Sequence, residues 1–351
     1  MEQLPRPTDR IAELDALRGL AALGVVLFHL SLLDPAAGPG FAVGASGVDL
    51  FFIISGFVIL MTLERTRDWR DFVVSRFSRL YPAYWACVTL AALAALPRMG
   101  AEKLAGDFAA NLTMFQLYLG APDLDGSYWT LSIEMLFYLL MLGVYVAGRL
   151  ESLELLGAAC LALLFGYDSA ICKGHLPGLY AFLGLWVPIV HHLPLFLAGI
   201  VFYRIKTRGG AAWRYALLVA CYVCQSRLYW DGGVIRFYLG PQAYQAAIAA
   251  YFVLFFLQVR GRLGFLANPV TLWLGRISYC LYLCHQSLAR DWLVPHFRSH
   301  WGWGFWPASA LALVFVLALA DALSRYVERP SLRWIRARYA RRDAVGYRPT
   351  A

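Results

Sequence analysis

LDALRGLAALGVVLFH, residues 14–29, sets an arginine and a histidine eleven positions apart in a stretch otherwise apolar enough to enter a lipid bilayer. At 100° per residue, eleven steps make about 1100°, three turns plus roughly 20°, so Arg18 and His29 project from one helix face with about 16 Å of axial separation. Arg18 then marks a membrane surface and His29 reaches the bilayer middle. An ionisable group in a spanning helix costs roughly 2.5–3.5 kcal/mol for Arg, Lys or Asp on insertion scales, which makes a buried polar site the default reading. The plainer alternative is that Arg18 anchors a helix end and His29 bonds a neighbouring helix.

The rest of the chain extends that reading. Of its 351 residues 60% are hydrophobic and 15% charged, and the apolar runs recur along nearly the whole length, which a water-soluble domain would not tolerate. The expected fold is all-α, a polytopic membrane protein of about ten transmembrane helices. At about 20 residues per crossing, the spans fall at 17–33, 47–63, 80–97, 127–147, 152–166, 179–203, 211–226, 243–259, 270–294 and 305–326. Pro188, His191, His192 and Pro194 are expected to break or kink the long run 179–203, and Asp107 and Asn111 keep 104–119 from being a span. No repeat or linker interrupts the sequence, so it reads as one membrane domain, 1–336, followed by a basic cytoplasmic tail, 337–351.

A net charge of +9 suggests nucleic acid at first sight, but its placement argues for a membrane. About ten spans put both termini on one side, where 24 basic residues collect against 7 on the other. By the positive-inside rule that side is cytoplasmic, and the expected location is the bacterial plasma membrane with both termini inside. Arginine supplies 28 of the 31 basic residues, a choice suited to phosphate or carboxylate contacts as well as to anchoring. Six of the seven cysteines lie in apolar runs, which excludes a disulfide framework, and Cys221-x-x-Cys224 has no second pair to make a metal site. Glu13 and Asp15 precede the first apolar run, so no secretory signal is read there.

Polar residues cluster near the ends of the spans. GASGVDLFFIISGF carries Asp49 and Ser55, with Gly44, Gly47 and Gly56 permitting close helix approach; SYWTLSIEMLFY carries Trp129 and Glu134; RISYCLYLCH carries His285. Taking 1.5 Å per residue, His29 lies about 16 Å up from the inner surface, His285 about 22 Å up and Glu134 about 10 Å down from the outer one. Asp49, Glu134 and His285 form an outer polar group, and Arg18, Arg76 and Arg79 an inner one. Tyr81, Tyr84 and Trp85 read as an interfacial aromatic belt.

Six stretches in this order, LDALRGLAALGVVLFH, GVDLFFIISGF, RFSRLYPAYW, YWTLSIEMLFY, GRISYCLYLCH and YVERP, resemble the motifs of the acyltransferase-3 family of integral membrane O-acyltransferases. The resemblance runs from residue 14 to 330. It implies an enzyme of about ten helices that takes an acyl group from cytoplasmic acyl-coenzyme A and places it on a hydroxyl, usually of a glycan. Residue by residue, Arg18 and His29 match the family's basic-residue and histidine pair, with His29 the expected catalytic residue; Arg76 and Arg79 match its paired arginines and Glu134 its motif glutamate. Some members carry an extra span and a fused esterase-like domain. This sequence stops about twenty residues past YVERP, so the acceptor is expected to be handled by the membrane domain itself.

The chemistry stands without the name. Moving an acyl group from a thioester to an alcohol needs a base for the alcohol proton, and neutral imidazole, with a reference pKa of about 6.5, suits His29 to that task. Glu134 or Asp49 would orient the imidazole and stabilise its cation. Arg18, Arg76 and Arg79 would bind the donor phosphates, and Ser55, Trp129 and His285 would contact or support the acceptor. Acyl-coenzyme A is then a co-substrate and not a permanently bound cofactor, acetyl is the expected acyl group, and no metal or nucleic acid is called for. The acceptor would be a glycan, glycolipid or lipid-linked carbohydrate at the extracytoplasmic side, with membrane lipids as surroundings. A small secreted metabolite is a second possible acceptor. A proton-coupled secondary transporter would also bury His and carboxylate groups, but it predicts an internal repeat of broken helices that the sequence lacks.

Overall fold

The computed structural model describes residues 11–97, 99–231 and 234–346. Among them every regular element is helical, in the order α1 (Ala12–Ser31), α2 (Gly47–Leu63), α3 (Trp69–Ala95), α4 (Ala101–Asn111), α5 (Trp129–Val146), α6 (Leu153–Tyr167), α7 (Ala170–His175), α8 (Pro177–Trp186), α9 (Leu193–Arg208), α10 (Ala212–Leu228), α11 (Pro241–Val259), α12 (Pro269–Cys284), α13 (Val294–Trp301), α14 (Phe305–Leu323) and α15 (Arg329–Gly346). Of the basic residues used above to orient the chain, Arg6, Arg10, Arg98 and Arg348 lie outside the described residues. So does the end of the expected tail, 347–351; its earlier part continues α15.

Six of the ten expected crossings are long and apolar enough to span a membrane: Ala12–Ser31, Phe41–Leu63, Trp129–Val146, Leu150–Tyr167, Pro241–Val259 and the run Phe305–Arg341. The other four fall short for local reasons. Arg70, Arg76, Arg79, Tyr81, Tyr84 and Trp85 dilute the apolarity of α3. The run 179–203 breaks between α8 and α9, with Pro188 and Pro194 each entering the first turn of a new helical segment. The helices α9 and α10 have only 16 and 17 residues, below the roughly 20 of a full crossing, and the run that begins with α12 carries Arg276, His285, Gln286, Arg290 and Asp291. His285–Leu293 continues α12 as a π-helical stretch.

The chain divides into two compact units, one made of residues up to Met61 with Glu151–Ser278, the other of Thr62–Leu150 with Tyr279 onward. In the first unit glycines set how closely the helices approach. A Cβ on Gly56 would lie 2.0 Å from the Phe196 carbonyl oxygen and one on Gly199 2.0 Å from that of Ile53, so α2 and α9 cross backbone to backbone. Gly19 and Gly275 do the same for α1 and α12: added Cβ atoms would stand 2.5 Å from Gly275 N and 2.2 Å from Asp15 O. The helix that carries His29 is thereby fixed in height against its neighbour. Between α6 and α10 the Arg214 guanidinium grips Glu154 with two nitrogens, Nε at 2.7 Å and Nη2 at 3.2 Å, both side chains being buried.

In the second unit α3 packs against α15 and α5. Asp68 caps α3 by accepting from the Arg70 amide at 2.7 Å. Asp125, buried just before α5, accepts from the Ser127 amide at 2.9 Å and from the Ser287 amide at 2.7 Å. One carboxylate therefore ties the start of α5 to the π-helical stretch, where altered backbone pairing leaves an amide to be satisfied from outside the helix.

Candidate active site

His29 sits half-buried in the last turn of α1, and its Nδ1 lies 3.0 Å from the Val25 carbonyl oxygen one turn back. A carbonyl oxygen only accepts, so the ring nitrogen that contacts it is the one bearing hydrogen. Nδ1 therefore carries the proton in the neutral ring, and Nε2 is the basic nitrogen. The Phe28 ring packs 4.8 Å from the imidazole and 4.9 Å from Tyr238, which holds this end of α1 against the 229–240 connection. Arg18, half-exposed, lies on the same helix three turns before.

Asp49, in the first turn of α2, is buried and faces His192, with 3.9 Å between carboxylate oxygen and Nδ1, too long for a direct hydrogen bond. The Val25 carbonyl, within α1, is an orienting partner of His29. The His192 ring packs 4.8 Å from Phe52. Next to it, Gln225 donates to the His191 carbonyl at 3.1 Å and to the Tyr244 hydroxyl at 3.0 Å. Ser55 is buried two turns further along α2.

The second unit holds the remaining candidates. Glu134, half-buried on α5, accepts a hydrogen bond from the Tyr138 hydroxyl one turn on. Trp129 is the first residue of that helix. His285 is buried at the start of the π-helical stretch, with Nδ1 2.8 Å from the Tyr282 carbonyl oxygen. The Tyr282 hydroxyl lies 2.9 Å from Thr130 Oγ1, so residues of GRISYCLYLCH and SYWTLSIEMLFY meet through this tyrosine.

Arg76 and Arg79 belong to an arginine cluster larger than the motif. Arg76 Nη2 donates to Ser75 Oγ at 3.1 Å, and its guanidinium stands 5.8 Å from the Phe72 ring and 5.9 Å from that of Tyr138. Arg79 pairs with Glu328, which is buried and also receives the Cys280 thiol at 3.4 Å. Arg336, from α15, donates through Nη2 to the same Ser75 Oγ at 3.1 Å and through Nε to Ser78 Oγ at 3.3 Å. Arg76, Arg79 and Arg336 thus gather around Ser75, Ser78 and Glu328, and Arg76 Nε is buried with no hydrogen-bond acceptor. Such a cluster is chemically ready for a phosphate. Arg336 and Glu328 escape the sequence reading because they lie about 250 residues from the Ser75–Arg79 segment; the visible signal was YVERP itself, which contains Glu328.

Among the described residues no group of three His, Cys, Asp or Glu side chains is disposed to hold a metal ion. A family described as an acyltransferase domain, acyltransferase-3, matches residues 11–325. Over 374 residues the chain is 25% identical to Nodulation protein 10 of Rhizobium leguminosarum bv. viciae, covering 94% of this chain and 96% of that protein. It is 27% identical over 158 residues to Exopolysaccharide production protein ExoZ of Rhizobium meliloti, covering 42% of this chain and 49% of that one. With Peptidoglycan O-acetyltransferase OatA of Listeria monocytogenes it shares 28% identity over 152 residues, 37% of this chain and 23% of that protein. The chain therefore spans less than half the length of the last two. No solved structure matches it.

Proposed function

The chain belongs to the acyltransferase-3 family, and from that premise we propose that it is a membrane O-acyltransferase that moves an acetyl group from cytoplasmic acyl-coenzyme A to a carbohydrate hydroxyl at the extracytoplasmic side. His29 is the base. Nε2 removes the hydroxyl proton as the oxygen attacks the thioester carbonyl; the tetrahedral adduct collapses with cleavage of the C–S bond, and the imidazolium returns its proton to the thiolate of coenzyme A. The observation that carries this reading is the Nδ1 contact to Val25, which leaves Nε2 as the basic nitrogen in the residue that the family motif singles out.

Arg76, Arg79 and Arg336 hold the donor phosphates in this scheme, supported by their gathering around Ser75 and Ser78 and by the buried Arg76 Nε that has no acceptor. Arg18 assists them from the inner end of α1. Glu134 is polarised by Tyr138, and Asp49 acts with His192 rather than directly on His29. Ser55, Trp129 and His285 support the acceptor side. The carbohydrate acceptor is supported by relatives named for peptidoglycan O-acetylation and exopolysaccharide production. Ten crossings, with both termini cytoplasmic in the plasma membrane, agree with the distribution of basic residues. The test is purified protein supplied with radiolabelled acetyl-coenzyme A: transfer to an acceptor, or hydrolysis dependent on His29, supports the enzyme, and uptake into vesicles without chemical change refutes it.

A further inference from the structure

The first unit has a second polar centre, remote in sequence from every motif. Asp168, the cap residue at the end of α6, accepts from Lys173 Nζ at 2.8 Å and from Arg227 Nε, and Lys173 also donates to Asp231. The carboxylates are almost fully covered, at 7% and 3% side-chain exposure. Two cations and two anions cancel. An open cavity of about 620 Å³ lies against this knot, lined among others by Asp168, Lys173, Ser226, Arg227, Trp230 and Gln245. That volume is in the range of small-molecule sites.

Two buried polar atoms at the knot and the cavity wall have no hydrogen-bond partner: Ser226 Oγ, on the wall, and Asp231 Oδ2, beside Trp230. Buried polar groups are nearly always satisfied, and each exception asks for a ligand or a water. Trp230 presents 61% of its surface next to them. An exposed indole beside ion-paired side chains and orphaned acceptors offers an apolar platform together with donors and acceptors of no net charge. A phosphate-rich molecule gains nothing from a neutral site. A pyranose, with one C–H face and a rim of hydroxyls, uses all of it.

We propose that this cavity is a carbohydrate subsite that holds a neutral sugar unit of the acceptor, its ring face on Trp230 and its hydroxyls on Ser226 Oγ and on Asp168, Lys173 and Arg227, the members of the knot that line it, with Asp231 behind them holding Lys173 in place. The subsite is built into the unit that carries His29. The connection 229–240 is closed by Tyr229 donating to the Leu239 carbonyl at 2.7 Å and by Arg236 donating to the Trp230 carbonyl at 3.1 Å. Its far end bears Tyr238, edge-on to Phe28 beside the catalytic imidazole. Trp230 lies near the start of this connection and Tyr238 near its end, where it meets Phe28 next to His29. The knot also stands at the ends of α6 and α10 that the distribution of basic residues assigns to the extracytoplasmic side, so the proposal rests on the acyltransferase reading for its sidedness.

The test is saturation-transfer NMR on the full chain in lipid nanodiscs, with cellotetraose and chitotetraose as neutral probes and glycerophosphoglycerol as a lipid head-group probe. At least one sugar should bind the wild type and lose affinity about fivefold or more in Ser226→Ala, Asp231→Asn and Trp230→Ala, the scale of one lost hydrogen bond or ring contact. Ser226→Ala removes a single oxygen and guards against a folding artefact. Unchanged sugar binding in all three variants overturns the subsite, as does binding of the head-group probe in preference to both sugars. If neither sugar binds while acetyl-coenzyme A is still consumed in a His29-dependent way, the subsite fails and the acyltransferase reading stands. Absence of His29-dependent consumption would instead remove the acyltransferase reading.

Discussion

The imidazole Nδ1 of His29 lies 3.0 Å from the carbonyl oxygen of Val25, so a backbone group on its own helix fixes the tautomer of the candidate base. A base held by its own helix backbone keeps its ring orientation when Asp49 on α2 is neutralised. Catalysis is then expected to fall steeply when the ring goes and far less when nearby carboxylates are neutralised.

His29→Ala should lower kcat for acetyl transfer by roughly 10²–10⁴-fold, the range of general-base catalysis, while the amount of folded protein recovered by size exclusion stays near wild type. Asp49→Asn should cost much less. Equal losses in both variants would mean that Asp49 takes part in the proton transfer and that the Val25 contact is incidental.

The arginine cluster should control donor affinity. Arg76→Ala and Arg336→Ala are expected to raise KM for acetyl-coenzyme A with little change in kcat, since they address the phosphates and not the bond that breaks. Arg79→Ala is a different case, because it strands the buried Glu328 carboxylate. Breaking a buried pair from one side costs about 3–5 kcal/mol, so this variant should also lose thermal stability, and Arg79→Ala with Glu328→Gln should recover stability but not KM.

The same logic applies to Glu154 and Arg214. Glu154→Ala leaves a buried guanidinium with only carbonyl partners and should destabilise the protein by about 3–5 kcal/mol, read as a lowered Tm in detergent. Replacing both partners with apolar residues of similar volume should restore most of that loss. A harmless Glu154→Ala would show that water reaches this pair.

The Asp168 knot makes a pH signature. Burial raises the Asp168 carboxyl, but hydrogen bonds, among them those from Lys173 and Arg227, outweigh it and hold the group below its ordinary value. Lys173 is opposed by burial and held above its ordinary value by Asp168 and Asp231. The first contribution is present above the unfolded carboxyl value of about 3.9 and is lost as pH falls through the lower folded value; the second is present below the unfolded ammonium value of about 10.4 and is lost as pH rises beyond it. Asp231, raised by burial and by Asp168, works against the first at neutral pH. The Tm difference between wild type and Asp168→Asn should therefore favour wild type near pH 7 and shrink below pH 4. A difference independent of pH would assign the effect to packing.

Much of this arrangement was legible in the sequence. The helix bearing Arg18 and His29, the break at Pro188–Pro194 and the close approach at Gly56 follow from periodicity, proline chemistry and small residues, all of them local signals. Arg336 on Ser75 and Ser78, Glu154 on Arg214, and Asp125 on the Ser287 amide were not legible, because each joins segments 60 to 261 residues apart. Six of the ten crossings read from the sequence are matched by helices long and apolar enough to span a membrane, and the others differ for a physical reason. Helices of 16 or 17 residues such as α9 and α10 carry the apolarity of a span without its length, and hydropathy alone extends them into their polar ends.

The sidedness of the reaction can be tested directly. Basic residues number 24 on the side assigned to the cytoplasm and 7 on the other, and Arg76 and Arg79 fall in the segment that positive-inside counting places within. Asp168 ends α6 and Arg227 lies in the last turn of α10, at ends that the same counting places outside. A donor bound by its phosphates inside and an acceptor bound outside can react without either molecule crossing, because only the acyl-bearing pantetheine arm has to enter the membrane. In sealed vesicles of known orientation, acetyl-coenzyme A confined to the cytoplasmic face should therefore acetylate a carbohydrate confined to the other face, and donor supplied only to the outer face should not. If product forms only when donor and acceptor share the cytoplasmic face, the acceptor enters from inside, and the ion-paired knot at the outer ends of α6 and α10 has a structural role only.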